Sequence, residues 1–133
     1  SFVVTKNKQR KLDDLIKAFI SDFTEFNGFK FLFSKVDLDP SDMKNICFKL
    51  IEQSDNVFVA LVTQKKEKII LNIGLSKELV EKKKINASEI INEVGKHINA
   101  KGGGQSFFAV ASGDRVSGVE QLFDTLKQKL KSF

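Results

Sequence analysis

The chain has 133 residues, of which 41% are hydrophobic, and this size and composition are typical of one globular domain. Its formal net charge of +5 favours an anionic partner, although ordinary solubilising charge gives the same balance. A single cysteine, Cys47, excludes an internal disulfide, and a single histidine, His97, leaves too few ligands for a Cys/His zinc site. Because no nucleophile motif surrounds His97 and no apolar stretch is long enough to cross a membrane, we expect no catalytic residue, no metal and no membrane contact.

The first element is a helix predicted from Lys8 to Phe26, and Asn27-Gly28 is a typical signal for its end. Its apolar residues repeat every seven positions in two interleaved series, which are Leu12, Phe19 and Phe26, and Ile16 and Phe23. This spacing predicts a helix that packs on the rest of the chain; the alternative is a short coiled coil that joins two copies into a homodimer. We therefore divide the chain into an N-terminal helix, residues 1–27, and a globular domain, residues 28–133.

Hydrophobic periodicity and capping residues predict the remaining elements. Predicted strands cover residues 29–33, 57–63, 68–75 and 107–111, where β-branched residues and phenylalanines are frequent. Predicted helices follow the typical N-terminal signals Asp39-Pro40, Ser76 and Asn86 or Ser88, and a last helix begins at Val119. This order predicts an α/β (α+β) fold, with a four-stranded mixed sheet flanked by helices and preceded by the N-terminal helix.

Two short segments concentrate positive charge. Residues 64–67, which include Lys65 and Lys66, connect two predicted strands as an antiparallel hairpin with a basic tip. Lys82, Lys83 and Lys84 stand at the end of the helix that follows Ser76, where the helix dipole favours positive charge. A solvated helix end explains this lysine run, and a contact to nucleic-acid phosphates is the sharper interpretation.

Three consecutive glycines, Gly102, Gly103 and Gly104, are more than a turn requires. They remove every side chain over about 10 Å of backbone, so that a large flat ligand can approach the N–H groups. We predict a loop here, between a helix and a buried strand, that contacts a phosphate or a nucleic acid; a flexible connector is the alternative. The polar residues that flank the glycines are Lys96, His97, Asn99, Lys101 and Gln105. His97 can face the ligand or pack inward.

From about Asn27 to Phe133 the chain resembles the C-terminal globular domain of bacterial alanyl-tRNA synthetases. That domain is of the DHH-associated type, which also follows DHH phosphoesterase domains. The synthetase pattern is roughly GGGRPDMAQAGG, and this chain matches it with the three glycines, Ala109, Ala111 and Gly113 at the same spacing. It departs from the pattern at four positions, where Gln105 replaces Arg, Ser106 replaces Pro, Val110 replaces Gln and Ser112 replaces Gly. Gln105 keeps the capacity to form hydrogen bonds but lacks the charge of arginine.

The resemblance implies a noncatalytic module of a cytoplasmic, ATP-dependent alanine–tRNA ligase. In that family the domain contacts the outer corner of tRNA, where the D and T loops meet, and helps present the tRNA to the aminoacylation and editing centres. ATP, magnesium and zinc would belong to other domains, and the preceding helical subdomain, whose end residues 1–27 resemble, takes part in dimerisation. The residues expected to bind tRNA are Lys96, His97, Asn99, Lys101, Gly102, Gly103, Gly104 and Gln105, with Lys82, Lys83 and Lys84 as further phosphate contacts. The alternatives are the substrate-binding domain of a DHH-type phosphoesterase that acts on short oligonucleotides, and a dimerisation domain.

Overall fold

The computed structural model describes the backbone of residues 2–26 and 28–132 and the side chains of residues 11–26 and 28–132. The helices are α1 (Phe2–Ser21), α2 (Pro40–Ile51), α3 (Lys77–Lys83), α4 (Ala87–Val94) and α5 (Val119–Ser132). The strands are β1 (Thr24–Phe26), β2 (Phe29–Lys35), β3 (Val57–Lys65), β4 (Lys68–Leu75), β5 (Lys101–Gly104) and β6 (Phe108–Gly113). Short 3₁₀ turns, Gly95–Ile98 and Val116–Gly118, follow α4 and precede α5. None of the described helices combines the length and the apolarity that a membrane span needs.

The predicted fold class is confirmed, but the predicted number of strands is wrong. The sheet has six strands in the order β1-β2-β3-β4-β6-β5, in which β2 and β3 are parallel and the other neighbours are antiparallel. The two strands absent from the prediction, β1 and β5, lie at the two edges of the sheet. Each is held by a turn into its neighbour, so the pairing does not depend on strong strand propensity within three or four residues.

The N-terminal helix begins earlier and ends earlier than predicted. It runs from Phe2 to Ser21, and Phe26, which continues the seven-residue repeat, lies in β1 instead. Gly28, with a φ of 82°, stands between β1 and β2 and allows the chain to reverse, so that Phe26 pairs with Phe29. Asn27, which is predicted to help end the helix, lies outside the described residues.

The sheet has a hydrophobic core on each face. On the first, which we call the α4–α5 face, alternate residues of β4 such as Leu71 and Ile73 pack with Ile91 and Leu126. On the second, the α2 face, Val59 and Leu61 of β3 pack with residues of α2, including Met43, Cys47 and Leu50. Ile16 and Phe19 of α1 join this second core, so the apolar repeat of the first helix packs on the same chain. The division at residues 27 and 28 stays a prediction.

Candidate nucleic-acid interface

The three glycines form an edge strand, and the prediction of a loop is wrong. They belong to β5, which pairs along its whole length with β6 from Lys101–Ser112 to Gly104–Ala109. The turn that joins the two strands is fixed from both sides: the carbonyl oxygen of Ser106 accepts from the N–H of Ala87 and that of Phe107 from the N–H of Leu75, both at 2.8 Å. Because β6 and the turn are anchored in this way, the three glycines are held in an extended conformation although they have no side chains to pack.

The glycines differ in what a side chain would meet. A Cβ atom at Gly102 would lie 2.1 Å from the carbonyl oxygen of Val110, and one at Gly104 would lie 2.5 Å from that of Phe108. At Gly103 the nearest atom would be the hydroxyl oxygen of Ser88 at 3.9 Å, an ordinary contact distance. Packing against β6 therefore explains two of the three glycines, and it leaves Gly103 unexplained.

The free edge of β5 presents backbone hydrogen-bonding groups. The N–H of Gln105 donates to the carbonyl oxygen of Phe108 at 2.8 Å, which sets the alternation of the β5–β6 ladder. In an antiparallel pair, hydrogen-bonded and non-hydrogen-bonded pairs alternate, so Gly104 and Gly102 stand in non-hydrogen-bonded pairs. Their N–H and C=O groups consequently point away from β6, toward the free edge of the sheet.

The predicted site residues fall into two groups around this edge. Lys96, Lys101 and Gln105 are exposed and close to β5 in the chain. His97 is half-buried, and its Nε2 lies 3.0 Å from Oγ1 of Thr125 in α5. Asn99 is exposed with a left-handed φ of 55°, and its Nδ2 donates to Oδ1 of Asp114 at 2.9 Å. These contacts engage His97 and Asn99 within the fold, whereas the two lysines and Gln105 extend into solvent.

The structure does not bring the lysine run Lys82–Lys84 to the glycine strand. Nζ of Lys83 lies 5.9 Å from the ring centroid of Phe29 in β2. Four inter-strand steps separate β2 from β5 in the sheet, which corresponds to about 19 Å. The run and the glycine strand are thus separate basic surfaces.

Arg115 is a candidate that sequence reasoning missed. Its backbone N–H donates to the carbonyl oxygen of Ile98 at 3.0 Å, which places this exposed residue beside the turn that leads into β5. In the sequence it lies in a loop without a recognisable motif, so only the fold relates it to Lys96 and Lys101. The guanidinium group is well suited to phosphate contacts.

Two observations concern reactive and metal-binding side chains among the described residues. Complete burial raises the pKa of the Cys47 thiol from 9.0 to about 12, so this side chain stays neutral and does not act as a nucleophile at ordinary pH. Within residues 2–26 and 28–132, no group of three or more His, Cys, Asp or Glu side chains is arranged to hold a metal ion.

Comparison with known proteins identifies the class to which this architecture belongs. The DHHA1 domain family matches residues 28–132, and the chain is a member of that family. Its relatives include the alanine–tRNA ligase of Christiangramia forsetii, 38% identical over 128 residues, which are 96% of this chain and 13% of the ligase. The alanine–tRNA ligase of Flavobacterium psychrophilum is 37% identical over 113 residues, 85% of this chain and 13% of the ligase. The chain therefore spans a small part of the length of these relatives.

Solved structures show which proteins share the fold of this chain. The C-Ala domain of alanyl-tRNA synthetase from Aquifex aeolicus superposes with a TM-score of 0.75 and 28% identity, covering 81% of this chain and 96% of that domain. The resemblance to the C-terminal domain of bacterial alanyl-tRNA synthetases is thus confirmed. A pGpG-specific phosphodiesterase from Vibrio cholerae shares the fold, with a TM-score of 0.55, 16% identity and coverage of 92% of this chain and 40% of the phosphodiesterase.

Proposed function

We propose that this chain is the tRNA-binding C-terminal module of a cytoplasmic alanine–tRNA ligase and that it contacts the outer corner of the tRNA. The observation that carries the proposal is the glycine-rich edge strand β5, with outward N–H and C=O groups at Gly102 and Gly104 and exposed polar side chains at both ends. The relatedness to alanine–tRNA ligases supports tRNA as the ligand.

The recognition that follows from this geometry is based on shape and charge. A flat, exposed base pair at the D–T loop corner can approach the outer edge of β5, because Gly102 and Gly104 are exposed there and carry no side chain. Outward N–H groups and the Gln105 amide donate hydrogen bonds, while Lys96 and Lys101 neutralise flanking phosphates. The chain performs no bond-breaking step in this function. Aminoacylation and editing, with their ATP, magnesium and zinc, belong to the remainder of the ligase.

The two alternative functions have weaker support. The phosphodiesterase likeness is at the level of the fold, so a role in binding short oligonucleotides rests on no shared site. Homodimerisation through α1 has to use its exposed side, because Ile16 and Phe19 are buried within the chain itself.

A titration with three RNAs tests the proposal. The chain is mixed with folded alanine tRNA, an unrelated folded tRNA and an alanine tRNA whose D–T loop contact has been disrupted, each at two salt concentrations. We expect similar binding to both folded tRNAs, weaker binding to the disrupted one, and a further loss with Lys101→Ala. Lys127→Ala, at an exposed position of α5, is the matched control for charge. Equal binding to all three RNAs would contradict recognition of the corner.

A further inference from the structure

One part of the sheet on the α2 face is not covered by a helix. Alternation along β4 directs Ile69 and Leu71 into the α4–α5 core and Ile70 to the opposite side. Ile70 is in register with Ser112 of β6, and Asn72 with Val110. Ile70 and Val110 are only half-buried and Ser112 is exposed, whereas residues of β3 on the same face are buried beneath α2.

The position of α2 explains why this part stays open. A Cβ atom at Gly74 would lie 2.6 Å from Sγ of Cys47, so α2 crosses the sheet close to the end of β4. The other end of β4 lies beyond the helix, near the β3–β4 hairpin. Among the described residues, the main helix contacts of β5 and β6 come from α4, which packs on the α4–α5 face. We call the surface of half-buried Ile70 and Val110 and exposed Ser112, at the margin of the α2-face core, the open face.

Lysines surround the open face. Lys65 and Lys68 are directly opposite each other in the β3–β4 hairpin, and Lys101 is paired with Ser112 across β5 and β6. All three are exposed and belong to the open side of the sheet, since cross-strand partners share a face. On the α2 side, Nζ of Lys44 lies 5.8 Å from the Phe48 ring and 5.9 Å from the Phe108 ring. The sheet thus places the basic hairpin tip on the same surface as the first residue of the glycine strand.

Two carboxylates lie near the hairpin lysines. Asp37 pairs with Lys65 at 3.1 Å in an exposed ion pair, and Glu67 lies in the hairpin turn. Lys65 and Lys68 lie directly opposite each other on neighbouring strands, so their charges repel one another, and Asp37 offsets part of that repulsion. Two inter-strand steps, and two residues along the strand, separate Lys68 from Lys101, which corresponds to roughly 12 Å by strand geometry. A distance of this length covers several phosphates of a nucleic-acid strand.

We propose that the open face binds the phosphate backbone of RNA, so that an RNA strand at the edge of β5 continues across β6 and β4 to Lys65 and Lys68. This inference rests on the proposed function, and it adds a second contact surface to the glycine strand. The groups bound at the open face are phosphates, so the contact adds affinity without base specificity.

The test removes the hairpin lysines and compares the salt dependence of binding. Lys65→Ala combined with Lys68→Ala is titrated with folded alanine tRNA at three salt concentrations. The matched control is Lys127→Ala combined with Lys131→Ala, which removes the same charge from exposed positions of α5. We expect the hairpin variant to bind more weakly and to lower the slope of log K against log salt by about 2, one for each phosphate contact, while the control keeps the slope of the unaltered chain.

The outcomes separate the two proposals. If the unaltered chain binds tRNA and Lys101→Ala weakens binding, but the hairpin variant keeps the original slope, the proposed RNA contact at the open face is wrong. The proposed function then stands. If the unaltered chain does not bind tRNA, both are overturned. Amide resonances of Ile70, Val110 and Ser112 give an independent readout, because RNA on the open face shifts them and RNA confined to the edge of β5 leaves Ile70 unchanged.

Discussion

At the scale of single residues, the glycines of β5 serve two different purposes. Gly102 and Gly104 allow β5 to lie against β6, where any Cβ atom would overlap backbone atoms. Gly103 has room for a methyl group, and its φ lies outside the left-handed region that favours glycine. Packing in the fold therefore does not explain its missing side chain.

This difference predicts opposite effects on stability. Gly103→Ala should raise the free energy of unfolding by about 0.4–1 kcal/mol, because alanine restricts the unfolded chain without a clash in the folded one. Gly102→Ala should lower it by about 1–3 kcal/mol, the usual cost of forcing atoms into a packed site. Urea unfolding of both variants and the unaltered chain measures the two values. A loss of stability for Gly103→Ala as large as that for Gly102→Ala would show that packing demands glycine at both positions.

At the scale of elements, the sequence predicts the features whose signals lie within a short segment of the chain. The spacing of Met43, Ile46, Cys47 and Leu50 predicts the buried face of α2, and the structure confirms it. The predicted cap of α4 is Asn86 or Ser88, and it is Asn86 whose Oδ1 accepts from the N–H of Ser88 and Glu89 at 2.9 and 3.3 Å. These features depend on residues within one or two helical turns, so a linear pattern is sufficient to find them.

Other features depend on contacts between distant segments, and the sequence could not supply them. Ser76 stands at the N-terminus of α3 as predicted, but its hydroxyl does not cap the helix. It accepts from the N–H of Val57 at 3.0 Å and lies 2.6 Å from the carbonyl oxygen of Ser54, so it ties β4 to the segment before β3. Likewise, β5 has no strand signal of its own, and the position of Arg115 beside it follows only from the path of the chain after β6.

The cap of α4 should contribute measurably to stability. Asn86→Ala removes a side-chain oxygen that serves two otherwise unpaired N–H groups of an eight-residue helix, and we expect a loss of about 1 kcal/mol in the free energy of unfolding. Asp39→Ala is the matched control, since Asp39 holds the same position before α2 but forms no side-chain cap hydrogen bond. Thermal or urea unfolding compares the two, and a larger loss for Asp39→Ala would contradict the assignment of the cap.

At the scale of the whole molecule, the structure separates the segment that stabilises the chain from the surfaces proposed to bind RNA. The first helix packs on α2, where Ile16 and Phe19 complete the core of the α2 face. The glycine strand and the open face lie on β4, β6 and β5, and the proposed RNA path ends at Lys65, the last residue of β3. The DHHA1 match begins at residue 28, after the first helix.

Removal of residues 1–22 should therefore reduce stability and leave tRNA binding unchanged. Loss of the burial of Ile16 and Phe19 should lower the free energy of unfolding by about 3–6 kcal/mol, an upper estimate from the area of two large apolar side chains. The dissociation constant for folded alanine tRNA, measured at a temperature where the shortened chain is folded, should stay within about 2-fold, because distant sites contribute independently. Asp14→Ala with Lys17→Ala, at exposed positions of α1, is the control and should change neither quantity. A folded shortened chain that no longer binds tRNA would place part of the RNA contact on the first helix and would contradict the division of the chain at residues 27 and 28.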